Sequence, residues 1–300
     1  MRPVLAALIL FCAAASLSAF AQIRDAGTGE EEAAQAMVEE YRFGSFVAAE
    51  AVSADQFGNV FVADAGTSTL LKFDLRGRRL SEVGGPGWDN EQFDRPTGID
   101  ARPGIAIYVA DMGNNRISRF DRDLHFMAAL EGDGGTIDPG FGYPLDVAQS
   151  SFEQLFILDG ENNRVLAVSA FKSVDRVFGG IASGDGRLQD PVALATDGDK
   201  LLYVLESGRV AVFDYFGNFM RQFGSGVFSN AQGIALLPDR VVVVTPDALH
   251  FFAPAGDHLR SIDRKSMVLA SDAGEFRDAV WCSPFLLILT THSCILFPSK

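Results

Sequence analysis

A strand-like run ending in an acidic residue returns along this chain at nearly constant spacing. Val62-Ala63-Asp64 is followed by Val109-Ala110-Asp111, Leu158-Asp159 and Leu205-Glu206, which puts the acidic positions 47, 48 and 47 residues apart. A second marker keeps the same beat. Phe46, Phe93, Phe141, Leu188, Phe228 and Phe276 each stand three residues before Ala49, Pro96, Pro144, Pro191, Ala231 and Ala279. Six copies constrain the architecture more tightly than composition does, because a period of this length marks one supersecondary unit stacked on its like. The shortest step, 40 residues from Leu188 to Phe228, removes loop rather than strand.

Within one copy, Thr97 to Asp100, Ile105 to Ala110, Arg116 to Asp121 and Phe126 to Leu130 read as four short strands. Between them lie Pro103-Gly104, Gly113-Asn114-Asn115 and Asp121-Arg122-Asp123, which favour tight turns. The 30 Gly and 25 Phe among 300 residues suit many turns around aromatic-rich strands. Four-stranded units of roughly 40–50 residues close into a β-propeller. The expected fold is therefore all-β, a six-bladed β-propeller of four-stranded antiparallel blades over residues 43–300. The last copy ends with Phe285 to Thr290 and Cys294 to Phe297, one strand short. Tyr41-Arg42-Phe43-Gly44 resembles Arg176-Val177-Phe178-Gly179 and Arg221-Gln222-Phe223-Gly224, which end complete blades. The N-terminal strand is expected to supply the missing edge and remove an open sheet margin.

Residues 22–42 precede the ring. Glu30-Glu31-Glu32, then Ala34, Met37, Val38 and Tyr41 at helical spacing, predict a short amphipathic helix there. Ahead of it, Val4 to Leu17 is apolar and uncharged, and Ala19-Phe20-Ala21 has the small-x-small form of a signal-peptidase site. Residues 1–21 read as a cleaved signal peptide, with a secreted or periplasmic mature protein. The run is shorter than the roughly 20 residues a membrane span needs, and no span is expected. Cys282 and Cys294 would then remain. Placed on the first and third strands of one blade, about 9–10 Å apart, they exceed the roughly 7 Å a disulfide allows and are expected as free, partly buried thiols.

A net charge of −14 removes the electrostatic basis for nucleic-acid binding. Arg76-Gly77-Arg78-Arg79 is the best basic cluster, and it falls in a single turn. A monomer is expected.

The pattern Val109-Ala110-Asp111-Met112-Gly113-Asn114-Asn115-Arg116, with Phe120-Asp121 and the preceding Pro96-Thr97-Gly98-Ile99, resembles the NHL-repeat six-bladed propellers. Blade three keeps Asp159 and Asn162-Asn163-Arg164, and blade four keeps Glu206-Ser207-Gly208-Arg209, whereas blades five and six have lost the motif. The resemblance spans roughly residues 43–297. It implies a propeller that binds ligand, RNA or protein, or an amidating lyase that uses zinc. Zinc chemistry needs three converging ligands. His125, His250, His258 and His292 fall on different faces and strands of such a ring.

Asp64, Asp111, Asp159 and Glu206 recur, and Arg116, Arg164 and Arg209 follow three of them; these acids are expected to brace turns through charge-assisted bonds. Residues that differ between blades make better site candidates. Arg95, Tyr143, Asp190, Asn230 and Asp278 are expected just before the inner strands, as a polar rim on the top face, with Ala48 at the sixth place. The loop Gly84-Gly85-Pro86-Gly87-Trp88-Asp89-Asn90-Glu91 adds an aromatic face beside amides and carboxylates, a combination suited to a peptide or sugar. The leading reading is an exported, non-enzymatic propeller that recognises a peptide, glycan or protein through this face. The alternative is a metal-dependent, lactonase-like hydrolase with carboxylates in the central funnel. Asp190, Asn230 and Asp278 would be its calcium ligands.

Overall fold

A computed structural model describes residues 36–132 and 137–298, all β apart from short 3₁₀ turns. The first strand is β1 (Tyr41–Phe43). Blade one holds β2 (Ala49–Ala54), β3 (Asn59–Asp64), β4 (Thr69–Asp74) and β5 (Arg79–Gly84); blade two holds β6 (Pro96–Asp100), β7 (Ala106–Asp111), β8 (Arg116–Asp121) and β9 (Phe126–Glu131). Blade three holds β10 (Pro144–Gln149), β11 (Leu155–Asp159), β12 (Arg164–Ser169) and β13 (Ser173–Phe178); blade four holds β14 (Pro191–Thr196), β15 (Leu201–Glu206), β16 (Arg209–Asp214) and β17 (Phe219–Phe223). Blade five holds β18 (Gly233–Leu236), β19 (Val241–Thr245), β20 (Ala248–Phe252) and β21 (His258–Asp263); blade six holds β22 (Phe276–Cys282), β23 (Phe285–Thr290) and β24 (Cys294–Pro298).

Six four-stranded sheets result, and the sixth has the order β1-β24-β23-β22. Tyr41, Arg42 and Phe43 pair antiparallel with Leu296, Ile295 and Cys294, so the early strand completes the last blade as expected. Each inner strand packs on the next, and β22 packs on β2, which shuts the ring.

The hydrophobic core is divided among the seams between blades. One cluster joins blades six and one through Phe43, Phe46, Phe73, Leu287 and Leu296; another joins blades one and two through Phe61, Phe93, Ile107 and Phe120. The remaining four clusters repeat the scheme around the ring. Every blade is apolar on both faces because it is sandwiched, which is why the second and third strands read as near-continuous apolar runs.

The helix expected in residues 22–42 is not found in its described part. From Met37 to Phe43 the chain is extended: Val38 bridges Val268, Glu39 N donates to Val268 O, and β1 follows. Backbone pairing with the free edge of β24 overrides the helical spacing of the side chains. The signal peptide over 1–21 and the rest of that segment lie outside the described residues.

Candidate functional site

The recurring acids are structural, as their spacing implied. Asp111 is fully buried, and its carboxylate accepts from Asp94 N (2.8 Å), Asn114 Nδ2 (2.8 Å) and Arg116 Nε (2.9 Å). Burial nonetheless raises its pKa against these bonds. Asp159 receives Gly142 N, Asn162 and Arg164 in the same way, and Glu206 receives Gln189 N and Arg209. Asp64 lacks the arginine and instead holds the backbone of Val47 and Ala48 at 2.9 and 2.8 Å. Each acid thus pins the loop that enters its own blade.

Blade two adds a consequence. Arg116, also buried, donates to the carbonyls of Trp88 (3.1 Å), Asp89 (2.9 Å) and Gln92 (2.7 Å). Asn114 Nδ2 holds Gly87 O at 2.9 Å. The loop over 84–92 is therefore fixed from beneath by a buried ion pair, while the Trp88 side chain above it is 76% exposed. An aromatic on a clamped loop loses little freedom when it binds.

The rim forms at five of its six expected places. Arg95, Tyr143, Asp190 and Asn230 are all exposed, and the carbonyls of Ala48, Arg95, Tyr143 and Asp190 each accept a backbone N–H from the turn after the second strand of their own blade. Arg95, Tyr143 and Asn230 have left-handed backbones, with φ of 56°, 46° and 56°. For Arg and Tyr that geometry is strained and is held by the structure around it. Tyr143 N donates to Asn115 Oδ1 at 2.7 Å, which fixes its place.

Asp278 is a correction. It lies inside β22, paired with Leu289, where Asp146 of β10 pairs with Leu158. The rim place of blade six belongs to Glu275, whose carbonyl accepts from Thr291 N. In blade six Phe276 pairs with Thr290 as Pro144 pairs with Asp159, so the Phe marker there is three residues out of step. Ala273, buried, takes the place of Phe141.

Asp146 and Asp278 were overlooked as a pair, and they line the central channel, a cavity of about 450 Å³. They sit in blades three and six, opposite one another. Asp146 accepts from Val147 N (2.8 Å) and, across the seam to blade four, from Leu194 N (2.7 Å). Asp278 accepts from Ala279 N (2.8 Å) and, across the seam to blade one, from Val52 N (3.0 Å). Burial pushes Asp146 up to about 7 and Asp278 well above the carboxylate range, and repulsion from Asp146 adds to the second shift. Asp100 is held by Arg102 at 2.8 Å and receives Gln149 N at 2.5 Å.

The residues weighed for calcium do not fit one ion. Asp190 and Asn230 are on the exposed rim, whereas both oxygens of Asp278 face backbone donors in the channel. Among the described residues no three His, Cys, Asp or Glu side chains gather as metal ligands. His125 pairs with Asp121, His292 meets Phe46 O, and His250 and His258 share Ser261. Cys282 and Cys294 are free and buried rather than partly so; burial raises the first thiol to about 11 and the second well above the ordinary thiol range.

No family model matches the chain. It is 27% identical, over 180 residues and 57% of its length, to the probable peptidyl-alpha-hydroxyglycine alpha-amidating lyase pgal-1 of Caenorhabditis elegans, covering 49% of that protein. Protein brain tumor of Drosophila melanogaster is 28% identical over 137 residues, 44% of this chain and 13% of that protein. The chain thus spans about half the length of the first relative and a small part of the second. Among solved structures, virginiamycin B lyase from Staphylococcus aureus superposes with a TM-score of 0.59 at 15% identity, covering 82% of this chain and 79% of that one. The WD40 β-propeller domain of Doa1 gives 0.57 at 14% identity, with 89% and 97% covered. At such identities a structural likeness speaks for fold alone. Strand order, ring closure and these likenesses together establish the chain as a six-bladed β-propeller.

Proposed function

We propose that this is an exported, NHL-type binding propeller that recognises a peptide, glycan or protein through the top face, with Trp88, Arg95 and Tyr143 as the principal contacts. The observation that carries the reading is the exposed Trp88 indole on a loop clamped by the buried Arg116–Asp111 pair. Tyr143, 51% exposed, and Arg95 offer a second ring and a cation on the same face, both in strained backbone. Exposed aromatics on rigid supports give binding area at low entropic cost. The sequence likeness to Protein brain tumor and to the amidating lyase supports NHL-type repeats. Cleavage after residue 21 would deliver the protein to the periplasm or medium. Peptide and glycan arrays probed with residues 22–300, beside Trp88→Ala and Tyr143→Ala, test the reading. Hits lost in both variants support it, and hits kept by both refute it.

A lyase or hydrolase is the second reading. It is favoured by Asp146, a carboxyl poised near neutrality in the channel, where an acid–base catalyst works best. Turnover abolished by Asp146→Asn and kept by Trp88→Ala would select it.

A further inference from the structure

Blades one and two place a cation over an aromatic ring at the same repeat position, with different outcomes. In blade one Lys72 pairs with Phe61 across the strands, its Nζ lies 5.6 Å from that ring, and it donates to Arg122 O of blade two at 2.7 Å. The seam there is filled. In blade two Arg119 pairs with Tyr108 and its guanidinium lies 5.7 Å from that ring. Here no neighbouring turn reaches it. Among the described residues Arg119 has no carboxylate within ion-pair distance, and its Nε is buried without a hydrogen-bond partner.

The seam opens instead as a bottom-face groove of about 550 Å³, within the range of small-molecule sites. Tyr108 and Phe171, tilted 50° to one another with ring centroids 5.7 Å apart, form its aromatic wall, and Ile105 at its mouth is 75% exposed. The turn bearing Phe171 departs from its counterparts. In blades one, two and four an aspartate, Asp74, Asp121 or Asp214, caps the turn between the third and fourth strands. Blade three has Ser169, and Ala170 and Phe171 both take left-handed backbones, φ 52° and 53°. Neither residue type favours that region. Glu153, which also lines the groove, is left-handed at 61°. Strained backbone tends to cluster at ligand sites.

We infer that this groove binds a small aromatic monoanion, its carboxylate on Arg119 and its ring between the Tyr108–Phe171 wall and Ile105. The other charges on the lining agree with a single negative charge. Arg102 is already taken by Asp100 and Thr196 O, and Asp197 is satisfied by the backbone of Asp199, Lys200 and Leu201. Glu153 also lines the cavity, and an acidic residue there disfavours a dianion.

Titration calorimetry of the full chain with 2-naphthoate, and with the cation 2-naphthylmethylammonium, tests this. One saturable naphthoate site is expected, weakened at least tenfold in Arg119→Gln and in Ile105→Asp and unchanged in Arg79→Gln, an exposed residue of β5 outside the groove. Ile105→Asp changes an exposed turn residue and serves should Arg119→Gln fold poorly. Absence of saturable binding, equal binding of the cation, or full affinity in either groove variant would overturn the proposal.

Discussion

Gly98 of blade two leaves the space that Asp146 of blade three fills: a β-carbon on Gly98 would stand 2.3 Å from Asp146 Oδ1 and 2.7 Å from its Cα. Gly233 and Asp278 repeat the relationship at 2.4 and 2.7 Å. Around the channel the inner-strand residues that pair with the next-to-last residue of each second strand read Ala51, Gly98, Asp146, then Ala193, Gly233, Asp278. A three-blade pattern thus occurs twice. Because the clash is with backbone, Gly98→Ala and Gly233→Ala should each cost about 1–3 kcal/mol. Urea unfolding measures this, and a cost below about 0.5 kcal/mol would contradict the packing.

The two aspartates give stability a pH dependence of definite sign. Both bind their protons more tightly in the ring than in the unfolded chain. Stability is therefore full below the unfolded aspartate range near 4 and falls as pH rises through the folded value, about 7 for Asp146. Asp100 repels and Arg102 attracts that carboxylate, and burial dominates both. The loss from pH 4 to pH 8 should be on the order of 3 kcal/mol for Asp146. Melting curves across this range should slope downward, and Asp146→Asn should flatten the slope. An unchanged slope in the variant would exclude Asp146 as its source.

The blades and the closing strand were legible because each is written in local pattern: alternating runs, turn residues and the Phe-Gly that Tyr41-Arg42-Phe43-Gly44 shares with the ends of complete blades. The channel pair was not. Phe276 stands at the place of Pro144 rather than of Phe141, three residues out of step with the other blades, and nothing in the local pattern marks the shift. Counting from Phe276 therefore put Asp278 on the rim. Met37 to Tyr41 misled for another reason: Val268 and the edge of β24 set the conformation, and both lie far along the chain. Trp88, Arg95, Tyr143, Asp190 and Asn230 were placed on the top face by strand count alone.

Arg116→Ala removes one partner of a buried pair and three carbonyl contacts of the Trp88 loop. A destabilisation of about 3–5 kcal/mol is expected, because Asp111 would be left buried and uncompensated. Hydrogen exchange should speed up first over residues 84–92. Uniform acceleration around the ring would speak against a local clamp.

Ring closure is tested by Phe43→Ala. Phe43 is buried and packs 5.3 Å from Phe73 of blade one while its strand pairs with β24. A cost of about 3–4 kcal/mol in unfolding free energy is expected. A near-neutral result would mean that the early strand is dispensable to the seam between blades six and one.

The chain has two tryptophans, so Trp281→Phe leaves Trp88 as its one indole. Fluorescence of this variant, titrated with a peptide or glycan recovered from the arrays, reports on the top face directly. Blue-shifted emission and reduced iodide quenching, saturating at one ligand per ring, are the expected result. Saturable binding that leaves the Trp88 emission and its quenching unchanged would contradict recognition through this face.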